Sequence, residues 1–276
     1  MATRAEKGMR FRALHAREGA FVIPNPWDIG SARILVHLGF EALATTSAGF
    51  AFATGRRDNT IARCDMLAHV AAIAAATDVP VSADLENGYG DDPETVAETI
   101  AQAAEVGIVG ASIEDATGQR DHPIYEHAHA VERIRAAAAV ARALPFPFTL
   151  TARAENYLVG RNNLDDTIKR LQAYQEAGAD VLFAPGLSDR RDIAAVVRAV
   201  DRPLNVVMGL QGARFDVAEL AAMGVKRISV GSALCRAAYG ALVRAAREMR
   251  EEGTFGFAEQ AIPFGELGDI VSDIRV

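Results

Sequence analysis

The amino-acid sequence predicts a (β/α)8 barrel, and three observations lead to that fold class. One junction recurs along the chain, in which a helix-like run ends at a glycine and a short run rich in β-branched residues follows. It appears as LVHLGFEALATTS, AAEVGIVGASIED, QEAGADVLFAPG and AAMGVKRISVGS. Alternating helices and about eight strands in roughly 250 residues are typical of this barrel. A doubly wound sheet is the alternative, but no GxGxxG motif follows the first predicted strand.

The predicted elements run from an N-terminal helix in MATRAEKGMRFRALHAR to a C-terminal extension at 253–276. Each junction glycine fits the left-handed position that ends a helix, and each apolar run fits a buried parallel strand. Helices such as PETVAETIAQAAEV and NLDDTIKRLQAYQEA separate the strands, with Asp, Ser or Pro expected at helix starts. The strands are expected near 20–24, 42–46, 80–84, 110–113, 148–152, 180–184, 203–207 and 226–230. No linker or shift of composition divides the chain, so we expect one domain over residues 1–276.

Composition excludes several classes of protein. A formal net charge of -7 and a pI near 5.4 argue against a nucleic-acid surface. The two cysteines, Cys64 and Cys235, lack CxxC spacing, so neither a disulfide framework nor a zinc site is expected. The apolar run AHVAAIAAATDVPV is broken by Asp78 and Pro80 and is too short to span a bilayer. These features predict a cytoplasmic protein that binds neither nucleic acid nor membrane.

Polar residues cluster at the carboxyl ends of the predicted strands, where (β/α)8 barrels carry their chemistry. They are Asn25, Ser47, Asp84, Glu86, Glu114, Asp115, Arg153, Glu155, Asn205 and Ser232. Asp84 and Glu86 stand two residues apart at a strand end, so their carboxylates are expected on one face. The ring contains no histidine. An all-oxygen, carboxylate-rich site suits Mg²⁺ or Mn²⁺ rather than zinc.

Two further groups at these strand ends suit an anionic substrate. Arg153 offers a bidentate cation to a carboxylate or phosphonate, with pairing to Glu155 or Glu114 as the alternative. The segment Ser47–Gly49 offers backbone N–H groups and a hydroxyl to a developing oxyanion, with a tight turn as the alternative. No lysine follows a predicted strand, which disfavours a Schiff-base aldolase. Carbanion chemistry in this chain would therefore depend on a metal ion.

Six motifs, in this order, resemble those of the isocitrate lyase/phosphoenolpyruvate mutase superfamily: NPWDIGSARI, TTSAGFA, SADLENGYG, GASIEDA, TARAEN and EAGADVLFAPG. The resemblance covers the chain from about Asn25 to Ser232. It implies a (β/α)8 barrel that binds Mg²⁺ and a 2-oxo acid. It also implies formation or cleavage of a C–C or C–P bond next to an enolate.

The resemblance assigns roles to residues by position. Asp84 resembles the direct metal ligand, and Glu86 stands where many members have a second Asp. Asp58 and Glu114 resemble carboxylates that hold the ion through water. The implied substrate-binding residues are Ser47, Ala48, Gly49, Asp84, Arg153 and Asn205. Catalytic roles are then expected for Arg153, Glu114 and Ser47.

The segment after the fourth strand departs from the patterns of the superfamily. It reads IEDATGQRDHPIYEH, without the cysteine of the isocitrate and methylisocitrate lyases and without the Lys and Asn of the phosphonomutase gating loop. Ala184-Pro185 also replaces the Glu-Pro pair of the lyases. His122 and Tyr125 are the obvious proton donors in this loop, and His122 is the candidate catalytic acid. A solvated loop histidine is the alternative.

The sequence therefore predicts a Mg²⁺-dependent carbon–carbon lyase that acts on a 2-hydroxy di- or tricarboxylate, or on a 2-oxo acid, through an enolate. Three alternatives stay open. One is hydrolysis or decarboxylation of a 2-oxo dicarboxylate such as oxaloacetate. The others are a phosphonopyruvate-type mutase and a 2-oxo-acid binding protein with little turnover.

The C-terminal extension at 253–276 is rich in apolar residues that the barrel does not need. They are Phe255, Phe257, Ile262, Phe264, Leu267 and Ile270. Exposed together they would form a patch that soluble monomers rarely carry, unless the extension folds back over its own barrel. The resemblance implies that last helices are exchanged between paired subunits. We therefore expect a homodimer or homotetramer with this extension in the contact.

Overall fold

The computed structural model describes residues 2–210 and 214–272, and its centre is an eight-stranded sheet in which every paired strand is parallel. The strands are β1 (Phe21–Ile23), β2 (Leu43–Ala44), β3 (Val81–Asp84), β4 (Gly110–Glu114), β5 (Thr149–Arg153), β6 (Val181–Phe183), β7 (Leu204–Val207) and β8 (Arg227–Ser229). They lie side by side in the order β1-β8-β7-β6-β5-β4-β3-β2. Between the two outer strands, the Ala44 N–H donates to the Pro24 carbonyl at 3.1 Å. The sheet is thus a nearly closed barrel, as predicted.

Eleven α-helices accompany the described strands. They are α1 (Arg4–Ala16), α2 (Ile29–His37), α3 (Ser47–Ala53), α4 (Arg63–Ala75), α5 (Pro93–Glu105), α6 (His127–Ala143), α7 (Leu164–Ala177), α8 (Arg190–Ala199), α9 (Val217–Ala222), α10 (Ala233–Arg247) and α11 (Phe264–Ser272). A π-helical turn at Glu248–Glu252 and a 3-10 turn at Gly256–Gln260 lie between the last two.

Helix starts and ends follow the local sequence. Asp28, Asn163 and Asp216 accept hydrogen bonds from backbone N–H groups at the first turns of α2, α7 and α9, and so satisfy donors that a helix leaves free. Gly178 ends α7 with a φ of 113°. A Cβ there would also lie 2.9 Å from the Cβ of Ala138, so both conformation and space favour glycine.

Helix α1 closes the amino-terminal end of the barrel, opposite the strand exits. Phe11 is fully buried, and His15 packs edge-on against Phe11 and Phe21. Gly8 lets the helix approach the chain before β5, because a Cβ there would lie 2.2 Å from the Pro147 carbonyl oxygen. With this end closed by apolar packing, the open end of the barrel is the one that carries the polar ring.

The C-terminal extension only partly covers its own barrel. Helix α11 packs against α2, where Nη1 of Arg33 donates to the Val271 carbonyl at 2.7 Å. Along α10, however, Cys235 is the buried residue. Leu242 is 61 % exposed and Phe264 is 96 % exposed. Residues 273–276 of the predicted extension lie outside the described residues, and exchange between subunits stays a prediction.

No helix among the described residues is long and apolar enough to cross a membrane.

Removing the extension tests its predicted role in assembly. We expect the full chain to be a homodimer or homotetramer in light scattering, because α10 and the segment after it expose apolar side chains. A chain ending at Glu252 should shift to a smaller species. A monomeric full chain would contradict the assembly, and an unchanged oligomer after truncation would remove residues 253–276 from the contact.

Candidate active site

A cavity of about 660 Å³ opens at the carboxyl ends of the strands. Its wall includes residues from the strand ends and from the loops that follow them, among them Asn25, Ser47, Asp84, Glu114, Arg153 and Asn205. All six were predicted at strand exits. The barrel brings them together because the ends of parallel strands meet on one edge.

Arg153, at the end of β5, is the centre of the charged network in this cavity. Its Nη1 lies 2.9 Å from Oδ1 of Asp84, its Nη2 3.1 Å from Oε2 of Glu114, and its Nε 2.8 Å from Oε1 of Glu155. The guanidinium also lies over the Phe183 ring, 5.1 Å from its centroid. Burial lowers the pKa of Arg153, but the three carboxylates outweigh it and hold the pKa above its ordinary value. Arg153 is therefore a fixed positive charge that joins the exits of β3, β4 and β5.

Asp84, at the end of β3, is held in place by hydrogen bonds to both carboxylate oxygens. The Ser47 N–H and hydroxyl each lie 3.0 Å from Oδ2, and the Ser112 hydroxyl lies 3.4 Å from Oδ1. Its own N–H donates to Oγ1 of Thr45 at 2.9 Å. The Ser47 hydroxyl also lies 3.2 Å from Oδ1 of Asp58, so its one proton is shared between two carboxylates. Ser47 thus couples the loop after α3 to β3.

Glu86 sits behind Asp84 in a strained loop. Its φ is 50°, a left-handed conformation that non-glycine residues rarely adopt. The loop is fixed by the buried Arg133, whose guanidinium donates to the carbonyls of Asn87, Gly90 and Asp91. Strain of this kind persists where the surrounding structure enforces it, often at functional sites.

Burial and then repulsion between neighbouring carboxylates raise the pKa values of three carboxyl groups here, those of Glu86, Glu114 and Asp58. Burial and then the Asp84 and Asp58 charges raise the pKa of Glu86 to about 8. Burial likewise raises the pKa of Glu114, against the opposing effect of Arg153. The pKa of Asp58 is raised by burial and then by Asp84. The carboxyl groups here outnumber the one guanidinium that contacts them, and a bound cation would favour their charged forms.

The donor set fits a Mg²⁺ ion that takes few ligands directly from protein. Within residues 2–210 and 214–272, no three carboxylate, imidazole or thiolate groups converge closely enough to hold an ion among them. Mg²⁺ commonly takes one or two carboxylates and completes its octahedron with water. Asp84 suits the direct position, with Asp58, Glu86 and Glu114 at longer range. In addition, Oε1 of Glu86 is buried without a hydrogen-bond partner, and a nearby cation would relieve it.

Three of the residues with a predicted metal, substrate or catalytic role do not line the cavity. Gly49 is buried, and its N–H donates to Oγ1 of Thr46 at 3.3 Å rather than pointing to the cavity. Glu86 is buried and does not line the cavity. His122 is exposed to solvent outside the cavity wall, with its carbonyl accepting the Thr117 hydroxyl proton. The metal, substrate and catalytic roles of the predicted residues stay predictions, and for His122 the structure shows no contact with the other site residues.

Sequence reasoning placed Glu155 at a strand exit but did not include it in the site, and it overlooked Arg227. Glu155 is buried against Arg153, and Arg227 lines the cavity from the first position of β8. Alternation along β8 was the available signal, because Arg227 and Ser229 are two residues apart and both line the wall.

Comparison with known proteins identifies the family. The family model for phosphoenolpyruvate phosphomutase matches residues 11–250. The chain belongs to the isocitrate lyase/phosphoenolpyruvate mutase superfamily. The resemblance predicted from the six motifs is thereby confirmed, and members of this superfamily typically bind Mg²⁺.

Individual relatives carry different activities. A Burkholderia cenocepacia J2315 structure, provisionally described as a lyase/mutase, is 64 % identical, with a TM-score of 0.95 over 96 % of this chain and 95 % of that one. A structure of 2,3-dimethylmalate lyase is 29 % identical, with a TM-score of 0.84 over 98 % of this chain and 95 % of its own. The oxaloacetate decarboxylase of Pseudomonas savastanoi pv. phaseolicola is 30 % identical over 248 residues, which are 87 % of this chain and 84 % of the relative. The family is therefore established, while the reaction has to be argued from the site.

Substitution of Asp84 tests the metal assignment without any substrate. We expect Asp84→Ala to weaken Mn²⁺ binding at least about tenfold in electron paramagnetic resonance titrations, because Mg²⁺-type ions depend on one or two direct carboxylates. Asp92→Ala is the matched control, since Asp92 is exposed in the same loop and makes no side-chain cap. Equal Mn²⁺ affinity in Asp84→Ala and the parent chain would contradict the assignment.

Proposed function

We propose that this protein is a Mg²⁺-dependent carbon–carbon lyase that forms or uses a 2-oxo acid through an enolate. The observation that carries the proposal is the junction of Asp84, Ser47 and Arg153 in one cavity at the strand exits. Membership of a superfamily that contains 2,3-dimethylmalate lyase supports it.

The ion and the chain have separate tasks in this proposal. When bound beside Asp84, Mg²⁺ supplies Lewis acidity for the carboxylate and C2 oxygen of a 2-oxo acid. The chain supplies orientation: a guanidinium has five N–H donors, and the contacts of Arg153 with its three carboxylates account for one on each nitrogen. One N–H on Nη1 and one N–H on Nη2 are therefore left to donate to a substrate carboxylate. Ser47 contributes a hydroxyl that donates to Oδ2 of Asp84 at 3.0 Å.

Decarboxylation of a 2-oxo dicarboxylate is the second candidate, favoured by the loop between β4 and α6. The residues of this loop that line the cavity are Ala116, Gly118, Gln119, Arg120 and Pro123. None carries a carboxyl, imidazole or thiol group. Loss of CO₂ from a 2-oxo dicarboxylate produces an enolate without prior removal of a proton by a base. Decarboxylation is therefore the candidate reaction that requires the fewest acid–base groups from this loop. The decarboxylase relative is consistent with this candidate.

Turnover with a matched set of substrates separates these reactions. We expect Mg²⁺-dependent release of a 2-oxo acid from at least one 2-hydroxy di- or tricarboxylate or from oxaloacetate, measured by coupled reduction of the product. Oxalate, a planar mimic of the pyruvate enolate, should compete with the substrate and bind at least about tenfold better with Mg²⁺ than without. Asp84→Ala and enzyme-free samples control for spontaneous loss of CO₂.

Each result has a distinct meaning. Cleavage of hydroxy acids supports the lyase. Turnover of oxaloacetate alone supports the decarboxylase if pyruvate and CO₂ form, and the hydrolase if oxalate and acetate form. Metal-dependent oxalate binding without any product supports the binding protein. Absence of both turnover and a metal effect on oxalate affinity in calorimetry would contradict the proposed function.

A further inference from the structure

A second guanidinium, that of Arg227, lines the cavity without a carboxylate partner. Arg227 begins β8 in register with Asn205 on β7, and its residue surface is only 4 % exposed. Its Nε donates to Oδ1 of Asn205 at 2.9 Å. Its Nη1 is buried and has no hydrogen-bond partner. The guanidinium is thus anchored at Nε, while Nη1 lacks a partner.

The surroundings of Arg227 provide no compensating negative charge. Burial, followed by repulsion from Arg153, lowers its pKa to about 9, and no carboxylate contributes to the shift. Towards the closed end of the barrel lies His15, whose pKa is lowered to about 3 by burial and then by the Arg227 charge. At neutral pH His15 is therefore uncharged and Arg227 is still a cation. An isolated buried charge costs free energy of folding that no protein group here offsets.

Other buried arginines of the described chain differ in this respect. Arg153 contacts three carboxylates, as described above. Arg170 pairs with Asp115 and Asp166, each at 3.0 Å. Arg133, also buried, is satisfied by three loop carbonyls. A purely structural role would be expected to give Arg227 a comparable set of partners.

Asn205 fixes the direction of the Arg227 guanidinium. The Asn205 amide nitrogen donates to the Ser229 hydroxyl at 3.0 Å, which sets its carbonyl oxygen towards Nε of Arg227. Asn205, Ser229 and Arg227 all line the cavity. An anion on the β7–β8 side of the cavity would therefore lie beside a preoriented guanidinium, apart from the carboxylates around Arg153.

We propose that Arg227 binds a second carboxylate of the substrate and makes the cavity selective for dicarboxylates. This assignment rests on the proposed function, in which the first carboxylate and the C2 oxygen lie at the Asp84 end. Planar guanidinium groups bind carboxylates through two parallel N–H···O bonds, so the unpaired edge matches this ligand chemically.

The assignment also bears on the choice of reaction. A guanidinium that holds the second carboxylate stabilises it as an anion and so opposes its departure as CO₂. Retention of both carboxylates through cleavage of a carbon–carbon bond is consistent with Arg227, whereas loss of the bound carboxylate is disfavoured. Arg227 thus argues for the lyase over the decarboxylase.

Paired ligands test this role in calorimetry with Mg²⁺ present. The probes are malate, 2-methylmalate and 2-hydroxyglutarate, with lactate as the monocarboxylate counterpart and oxalate as the probe of the Asp84 end. We expect at least one dicarboxylate to bind the parent protein at least about tenfold more tightly than lactate, a difference of 1.4 kcal/mol. In Arg227→Met that preference should fall below about threefold, while oxalate affinity changes by less than about threefold.

Two further variants control for charge and for folding. Arg161→Met removes an exposed cation that does not line the cavity and should keep the dicarboxylate preference. Arg227→Lys keeps the positive charge but loses the planar guanidinium. This variant should retain part of the preference for dicarboxylates over lactate. The melting temperature of ligand-free Arg227→Met should equal or exceed that of the parent, because an uncompensated buried charge is removed.

The results separate this assignment from the proposed function. If the parent protein shows neither turnover nor metal-dependent oxalate binding, the proposed function fails. If the parent binds oxalate but prefers no dicarboxylate over lactate, or if Arg227→Met keeps the preference, the Arg227 assignment alone is overturned. Loss of oxalate binding in both Arg227→Met and Arg227→Lys would make the residue structural and would also overturn it.

Discussion

The contact of one guanidinium with three carboxylates organises the open end of this barrel. Arg153 joins Asp84 and Glu114, at the ends of the neighbouring strands, to Glu155 in the loop after its own strand. Backbone pairing brings β3, β4 and β5 together, but it does not fix the side chains at their exits. Without the cation, buried carboxylates would repel one another or take up protons. The position of Asp84, on which Ser47 and the proposed metal site depend, follows from this pairing.

The remaining charged groups of the cavity lie in two regions, one rich in carboxyl groups and one with an unpaired cation. Around Asp84, carboxyl groups outnumber the guanidinium of Arg153, and burial, followed by repulsion from neighbouring carboxylates, raises the pKa values of Glu86 and Glu114. On the β7–β8 side, Arg227 is a buried cation without a carboxylate. A divalent cation at one end and a ligand carboxylate at the other would neutralise both. The protein thus maintains charges that cost stability, a pattern expected where function and stability compete.

The fold was largely predictable because its signals are local. Each strand begins within about two residues of its expected position, since a glycine that ends a helix and an apolar run are both read directly from the sequence. The exposure of α10 was not predictable, because its apolar periodicity is the same whether it covers its own barrel or another subunit.

The sequence predicted which residues lie at the open end of the barrel, but not the directions in which their side chains and N–H groups point. Strand exits identified Asp84 and Arg153, because parallel strands end on one edge. Orientation depends on tertiary contacts: Thr46 takes up the Gly49 N–H, and a left-handed φ turns Glu86 behind the cavity. Arg227 was overlooked because it stands at the start of its strand.

The unfolding free energy of Arg153→Gln most directly tests the claim that this arginine organises the site. At pH 8 we expect a loss of about 3–5 kcal/mol relative to the parent, because buried carboxylates lose their partner. Their pKa values would then rise further above the unfolded values, so the folded variant binds more protons and its deficit should shrink on going to pH 5. Arg161→Gln, at an exposed position, is the control and should change stability by less than about 0.5 kcal/mol. An Arg153→Gln variant as stable as this control at both pH values would contradict the account.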